Sequence, residues 1–180
     1  MKNTTEQFIS VDVETSGPIP GEYSLLSIGA CLVYEPQIAF EAILQPINTN
    51  FDPEALKVTG FSMEELFTNG EPVVEVFQRF ESWVKSVTPP EMKPVFVGFN
   101  AAFDWSFINY YFYRFTGHNP FGFAALDIKS LYMGAQNSTW SETKSSLISA
   151  KLRPQSSSNH NALDDAKFQA ELFRLILRGT

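Results

Sequence analysis

The sequence predicts an α/β protein built on a mixed five-stranded sheet flanked by helices, and three features of its order predict it. Strand-like segments come first, two of them joined by a connection short enough for an antiparallel pair. Helical and strand-like segments then alternate, and an amphipathic helix closes the chain. The 180 residues contain no internal repeat or linker, so one domain over residues 1–180 is expected.

Residues 8–14 alternate Ile9, Val11 and Val13 against Ser10, Asp12 and Glu14, the period of a half-buried strand. A turn-rich stretch over 15–21 follows. Two further strands are expected over 23–34 and 38–47, joined at Glu35-Pro36-Gln37. Asp52-Pro53 opens a short helix that stops near Gly60, and Ser62 with Glu65 presents a capping box. Over 71–87, Val74, Phe77, Phe80, Trp83 and Val84 recur at spacings of three and four, which gives a core-packed helix that Pro89-Pro90 closes.

Residues 95–99 are an apolar run and a central-strand candidate. Asn100 is placed to cap the next helix, whose Phe103, Phe107, Tyr110 and Tyr111 share a side. A brief strand is expected over 123–126. Residues 139–159 are Ser-rich and give only a weak helix around 145–151 before a mobile loop. The last helix, over 164–178, places Phe168, Leu172, Leu175 and Ile176 on one face.

Composition narrows the function. Thirteen basic against twenty acidic residues give a formal charge of -7, the wrong sign for gripping long duplexes through many phosphates. Contact with nucleic acid is therefore expected to be short, local or bridged by cations. One cysteine and two histidines exclude disulfide scaffolds and thiolate zinc sites. The polar first residues and the lack of a long apolar run point away from secretion and membranes, and towards the cytoplasm.

The carboxylates carry the chemistry. Asp12 and Glu14 project from one face of a strand, about 6.5 to 7 Å apart along the chain. Alone, such a pair is usually a solvated strand face, but the following Thr15-Ser16-Gly17 turn offers amides and hydroxyls to a phosphate or sugar. Asp104 falls in the first turn of a helix at the carboxyl end of a strand, where open α/β sheets bind ligands. Read by itself it complements the helix dipole. Asp165 shares the inward side of the last helix with Phe168, Leu172 and Ile176, whereas Asp164 is turned about 100° towards solvent. Uncompensated, such inward charges cost several kcal/mol each. Four hard oxygen donors without a thiolate suit a pair of Mg²⁺ or Mn²⁺ ions.

Asp12-Val13-Glu14-Thr15-Ser16-Gly17, Phe99-Asn100-Ala101-Ala102-Phe103-Asp104 and His160-Asn161-Ala162-Leu163-Asp164-Asp165 resemble, in order, the three motifs of the DEDDh exonucleases. That group includes ribonuclease T, oligoribonuclease and proofreading exonuclease subunits. The stretch from Phe51 to Phe61 is also similar to a loop and helix common among them. The resemblance implies a ribonuclease H-like fold and release of nucleoside 5′-monophosphates from 3′ ends. It also implies two divalent ions on Asp12, Glu14, Asp104 and Asp165, and His160 as the base that takes a proton from water. Backbone at Thr15, Ser16 and Gly17, with the Asn100 amide, would hold the terminal nucleotide. Many members are homodimers, a state this sequence leaves open.

Phe61, Met63 and Phe103 are candidates for stacking on bases. Lys144, Lys151 and Arg153 read either as a solvated loop or as a guide for phosphates. The expected partner is a short single-stranded RNA or DNA 3′ end, cleaved distributively. A phosphotransferase with Asp12 as nucleophile fits poorly, since Glu14 stands where a second Asp is wanted and no phosphate-binding lysine follows. The other alternative is a catalytically silent binding module, which the presence of all five site residues disfavours.

Overall fold

The computed structural model describes residues 5–179, so Met1 to Thr4, the core of the polar N-terminal reading, and Thr180 lie outside the described residues. Five strands form one mixed sheet in the order β3-β2-β1-β4-β5. They are β1 (Glu6–Thr15), β2 (Leu25–Leu32), β3 (Ala39–Ile43), β4 (Lys93–Gly98) and β5 (Ala125–Asp127). The pairs β1–β2 and β2–β3 are antiparallel, whereas β1–β4 and β4–β5 are parallel. Seven α-helices accompany them among the described residues: α1 (Pro53–Thr59), α2 (Met63–Asn69), α3 (Val73–Val87), α4 (Ala102–Phe115), α5 (Ile128–Gln136), α6 (Ser145–Leu152) and α7 (Ala162–Arg178). None is long and apolar enough to cross a membrane.

Alternation along β1 decides the layering. Ile9, Val11 and Val13 enter a core with Phe77 and Phe80 of α3 and Phe107, Tyr111 and Phe112 of α4. The other face receives α7 through Ala166, Ala170, Leu172 and Phe173, with Ile128 and Tyr132 of α5 and Ile148 of α6 alongside. α7 can lie this close because Gly29 has no side chain: a Cβ there would strike the Ala162 carbonyl and the Leu163 nitrogen.

Several expected details change. Asn100 does not cap α4; it adopts a left-handed backbone, φ 62°, which Asn tolerates better than most residues. The Ala101 amide is satisfied instead by Asp127 Oδ1, at 3.1 Å. α7 begins two residues before the expected start, because the Asn161 side chain accepts from the Leu163 and Asp164 amides, both at 3.0 Å. Val74 points to solvent, and Val76 takes the buried place in its turn. Residues 128–136, unassigned from sequence, form α5, capped by Asp127, and a 3-10 turn (Trp140–Thr143) precedes α6.

Candidate active site

Asp12 lies opposite Gly29 and Glu14 opposite Ser27 on β2, both on the α7 side of the sheet. Pairing of β1 with β4 ends at Ser10, so the Val13 amide lies beyond the ladder. Asp104 takes it: its Oδ1 accepts from Val13 N at 3.1 Å, which ties the first turn of α4 to β1.

Asp165 is held by the loop before α7. Ser158 Oγ donates to Oδ2 at 2.8 Å, Asn159 N to Oδ1 at 2.8 Å, and His160 N to Oδ2 at 3.3 Å. Asn159 Nδ2 holds the solvent-facing Asp164 at 2.8 Å. His160 bends this loop with φ 62° and remains exposed.

These elements converge. Asp12, Glu14, Asp104, His160 and Asp165 line one cleft of about 250 Å³, and Asn100 lies on its rim. Potential ligand atoms of Glu14, His160 and Asp165 lie within 4.8 Å of one another, while Asp12 and Asp104 line the cleft outside that tightest group.

Burial and mutual repulsion make Asp12, Glu14 and Asp104 hold protons. The Asp12 carboxyl is pushed well above the usual range, first by burial and then by Asp104, Glu14 and Asp165, with the Gln169 amide opposing. Burial, then Asp165, raises Glu14 to about 7. Burial also dominates at Asp104, raising it to about 8 against the pull of its own amide and that of Val13, with Glu14 adding to the rise. A cluster that retains protons in this way is one that cations stabilise. Carboxylate oxygens with one imidazole, and no thiolate, fit a divalent oxygen-seeking ion. Cys31 is buried beneath α7, and its thiol is pushed up to about 12 by burial, against the pull of Lys167 and then Arg174.

The remaining expected site residues fare differently. Thr15, Ser16 and Gly17 do not line the cleft. Ser16 is fully buried, its amide donating to Ser24 O and its hydroxyl bonding Asn50 O and Ser24 N, so it closes the turn and has nothing to offer a nucleotide. The Thr15 hydroxyl donates to Gly17 O at 2.9 Å, which closes the turn on itself. Phe103 lines the cleft; Phe61 and Met63 do not.

The sequence reading missed Gln169, whose side chain donates to Asp12 Oδ1 and accepts from Phe99 N at 2.9 Å. Its signal was a polar residue one helical turn beyond Asp165 on the inward face. It also missed Ser158, for which no local pattern exists.

With this geometry in place, the comparisons decide the family. The RNase T exonuclease family profile matches residues 9–173. The chain belongs to this family. It is 53% identical over 176 residues to the 3′–5′ DNA exonuclease Cap18 of Escherichia coli, across 98% of this chain and 94% of that protein. Family membership and this identity make the chain a metal-dependent 3′–5′ exonuclease, a phosphodiester hydrolase. Among solved structures, the nuclease domain of 3′hExo, a DEDDh member bound to rAMP, superposes with TM-score 0.77 at 18% identity, over 96% of this chain and 92% of that one. E. coli exonuclease I in complex with a dT13 oligonucleotide gives 0.71 at 18%, over 97% of this chain and 41% of that one. At such identities these two structures bear on the fold alone, which is the ribonuclease H-like one.

Proposed function

We propose that this exonuclease, as one domain spanning residues 1–180, shortens single-stranded DNA from its 3′ end, using two Mg²⁺ or Mn²⁺ ions held by Asp12, Glu14, Asp104 and Asp165. The observation that carries the reading is the meeting of these four carboxylates and an exposed imidazole at the carboxyl ends of β1 and β4. The DNA preference draws on the name of the Cap18 relative. The acidity of the chain favours short substrates taken distributively.

His160 is the general base. It stands at the cleft with a ligand atom within 4.8 Å of carboxylate oxygens of Glu14 and Asp165, and its exposure lets it pass the proton on to solvent. Water adds to the terminal phosphorus as its proton moves to an imidazole nitrogen. The bond from phosphorus to the 3′-oxygen breaks and that oxygen takes a proton from solvent, which leaves a nucleoside 5′-monophosphate and a strand ending in a 3′-hydroxyl. Bound divalent ions supply positive charge for the phosphate and leaving oxygen, and acidify water. Gln169 and the Val13 amide hold Asp12 and Asp104 in place for them, while the 158–160 loop holds Asp165. Backbone at Thr15 and Gly17, the Asn100 amide and the ring of Phe103 receive the terminal nucleotide.

The test is incubation with 5′-end-labelled DNA and RNA oligonucleotides, with Mg²⁺, with Mn²⁺ and with chelator. Stepwise shortening of DNA, dependent on the metal and at least about a thousandfold slower in Asp12→Ala, is expected. Undiminished hydrolysis by Asp12→Ala overturns the assignment, and equal or faster loss of RNA overturns the preference.

A further inference from the structure

We infer that the strip from Phe99 through Lys129 to Trp140 is a track for the single strand leaving the catalytic cleft, in which Trp140 stacks a base and Lys129 takes a phosphate. The inference rests on the exonuclease reading for its strand end, but the track itself is argued from other residues.

Trp140 is 53% exposed, yet the turn beneath it is firmly anchored. The Thr139 amide and hydroxyl both bond the Glu142 carboxylate at 2.8 Å, and the buried Thr143 hydroxyl donates to Trp140 O at 2.7 Å. A fixed backbone thus presents a half-exposed indole, the arrangement that sequence-tolerant stacking needs.

Lys129 connects this platform to the cleft. Its ammonium lies 4.2 Å from the centre of the Trp140 ring and 6.0 Å from that of Phe99, which itself lines the cleft. The two ring centres are therefore at most about 10 Å apart, within reach of a few nucleotides. Lys129 sits in the first turn of α5, and the cap of that helix, Asp127, accepts from Ser130 N at 2.9 Å and from Ala101 N at 3.1 Å. The lysine is thus tied to the turn that carries Asn100. An ammonium over an exposed indole is a weak contact that a base can replace, which frees the charge for the adjoining phosphate.

Charge selects this side of the cleft. Residues 128–153 contain four of the chain's thirteen basic residues, Lys129, Lys144, Lys151 and Arg153, and one of its twenty acidic ones, Glu142. Around the turn that follows β1 stand Glu22, Asp52 and Glu54, with Lys57 3.8 Å from Glu54. A polyanion is attracted to the first flank and repelled by the second.

The experiment measures binding of fluorescently labelled dT15 and dT2 by anisotropy, with Mg²⁺, in a His160→Ala background that stops turnover. Trp140→Ala is expected to weaken dT15 about tenfold and to shrink its advantage over dT2 by a similar factor, and Trp140→Phe to restore most of the loss. Lys129→Gln should lower the slope of log affinity against log salt by about 0.7. Phe123→Ala, which removes a ring that is 87% exposed and packs on Tyr113, serves as the control and leaves dT15 binding unchanged. An affinity of Trp140→Ala within twofold of its parent overturns the track, as does a parent that does not bind dT15. If binding needs Trp140 while the wild-type chain shortens no oligonucleotide, the track stands and the exonuclease reading falls.

Discussion

The two faces of the sheet are built from different materials. Under α3 and α4 the core is a mass of rings: Phe77 and Phe112 meet edge to face at 4.9 Å, and Phe80 stacks on Phe112 at 5.6 Å. Under the start of α7 the close approach is made at Gly29, with Cys31, Ala166 and Ala170 in the same core, while Leu172 and Phe173 pack further along the helix. Large rings hold helices away from a sheet and bury much apolar area. Small residues let a helix backbone approach until polar side chains reach across. That is why Asp165 and Gln169 meet Glu14 and Asp12 on the α7 face, while the ring face carries no catalytic side chain except Asp104, at its outer end.

The largest expected effect comes from the polar face itself. Asp12, Glu14 and Asp104 hold protons in the folded chain at pH values where unfolded carboxyls, with pKa near 4, have lost them. The native state then binds more protons than the unfolded one, so stability falls as pH rises from about 5 through 7 and 8. Glu71, Glu81 and Glu171 are shifted downward and act only at lower pH, so they do not interfere in this window. In chelator, the thermal midpoint should drop steadily between pH 5 and 8.5. Added Mg²⁺ or Mn²⁺ should flatten the drop, because cations replace the protons. A midpoint that rises with pH in chelator contradicts this account of the cluster.

The next effect breaks the ring face. Phe112→Ala removes a fully buried ring that touches Phe77 and Phe80, and should lower stability by about 3 to 5 kcal/mol in denaturant titration. Activity per folded molecule at low temperature should hardly change. Gly29→Val should do the reverse in kind. The added side chain meets the backbone of Ala162 and Leu163 and lifts the start of α7, which carries Asp165 and His160 away from β1. A displacement of about 1 Å is worth about a hundredfold in rate, so kcat should fall by that order even where the folded fraction is high. If Phe112→Ala impairs the turnover of folded molecules as severely as Gly29→Val, the division between the faces fails.

The same division explains what could be read from sequence. Asp12, Glu14 and Asp165 were legible because strand and helix periods put them on faces, and Asp104 because it opens a helix at the carboxyl end of a strand; each alone had an ordinary reading, and the three motifs in order joined them. The unread parts depend on partners distant in the chain. Asn100 looked like a cap because nothing local shows that Asp127 serves the Ala101 amide. Ser16 looked available because its bonds go to Ser24 and Asn50. α5 escaped because it is nine residues long, contains Gly134 and begins at an aspartate that reads equally well as the end of a strand.

The smallest expected effect concerns the residue that spans the cleft floor. Gln169 gives its amide NH₂ to Asp12 and its carbonyl to the Phe99 amide, so it links α7, β1 and the end of β4. Gln169→Leu keeps the size and apolar packing but withdraws both bonds. Asp12 then loses the one group that lowers its carboxyl against burial and repulsion, and should hold its proton more tightly. A divalent ion must displace that proton, so metal affinity should fall about tenfold, the scale usual for groups that orient a ligand. The rate should recover with excess Mg²⁺, and the metal needed for half-maximal activity should rise more steeply as pH is lowered than in the wild-type chain. A purely structural role would lower activity equally at all metal concentrations. Gln169→Glu, which keeps an acceptor for the Phe99 amide but sets another carboxyl against Asp12, should have a lower thermal midpoint than Leu in chelator and should gain more stability from added metal.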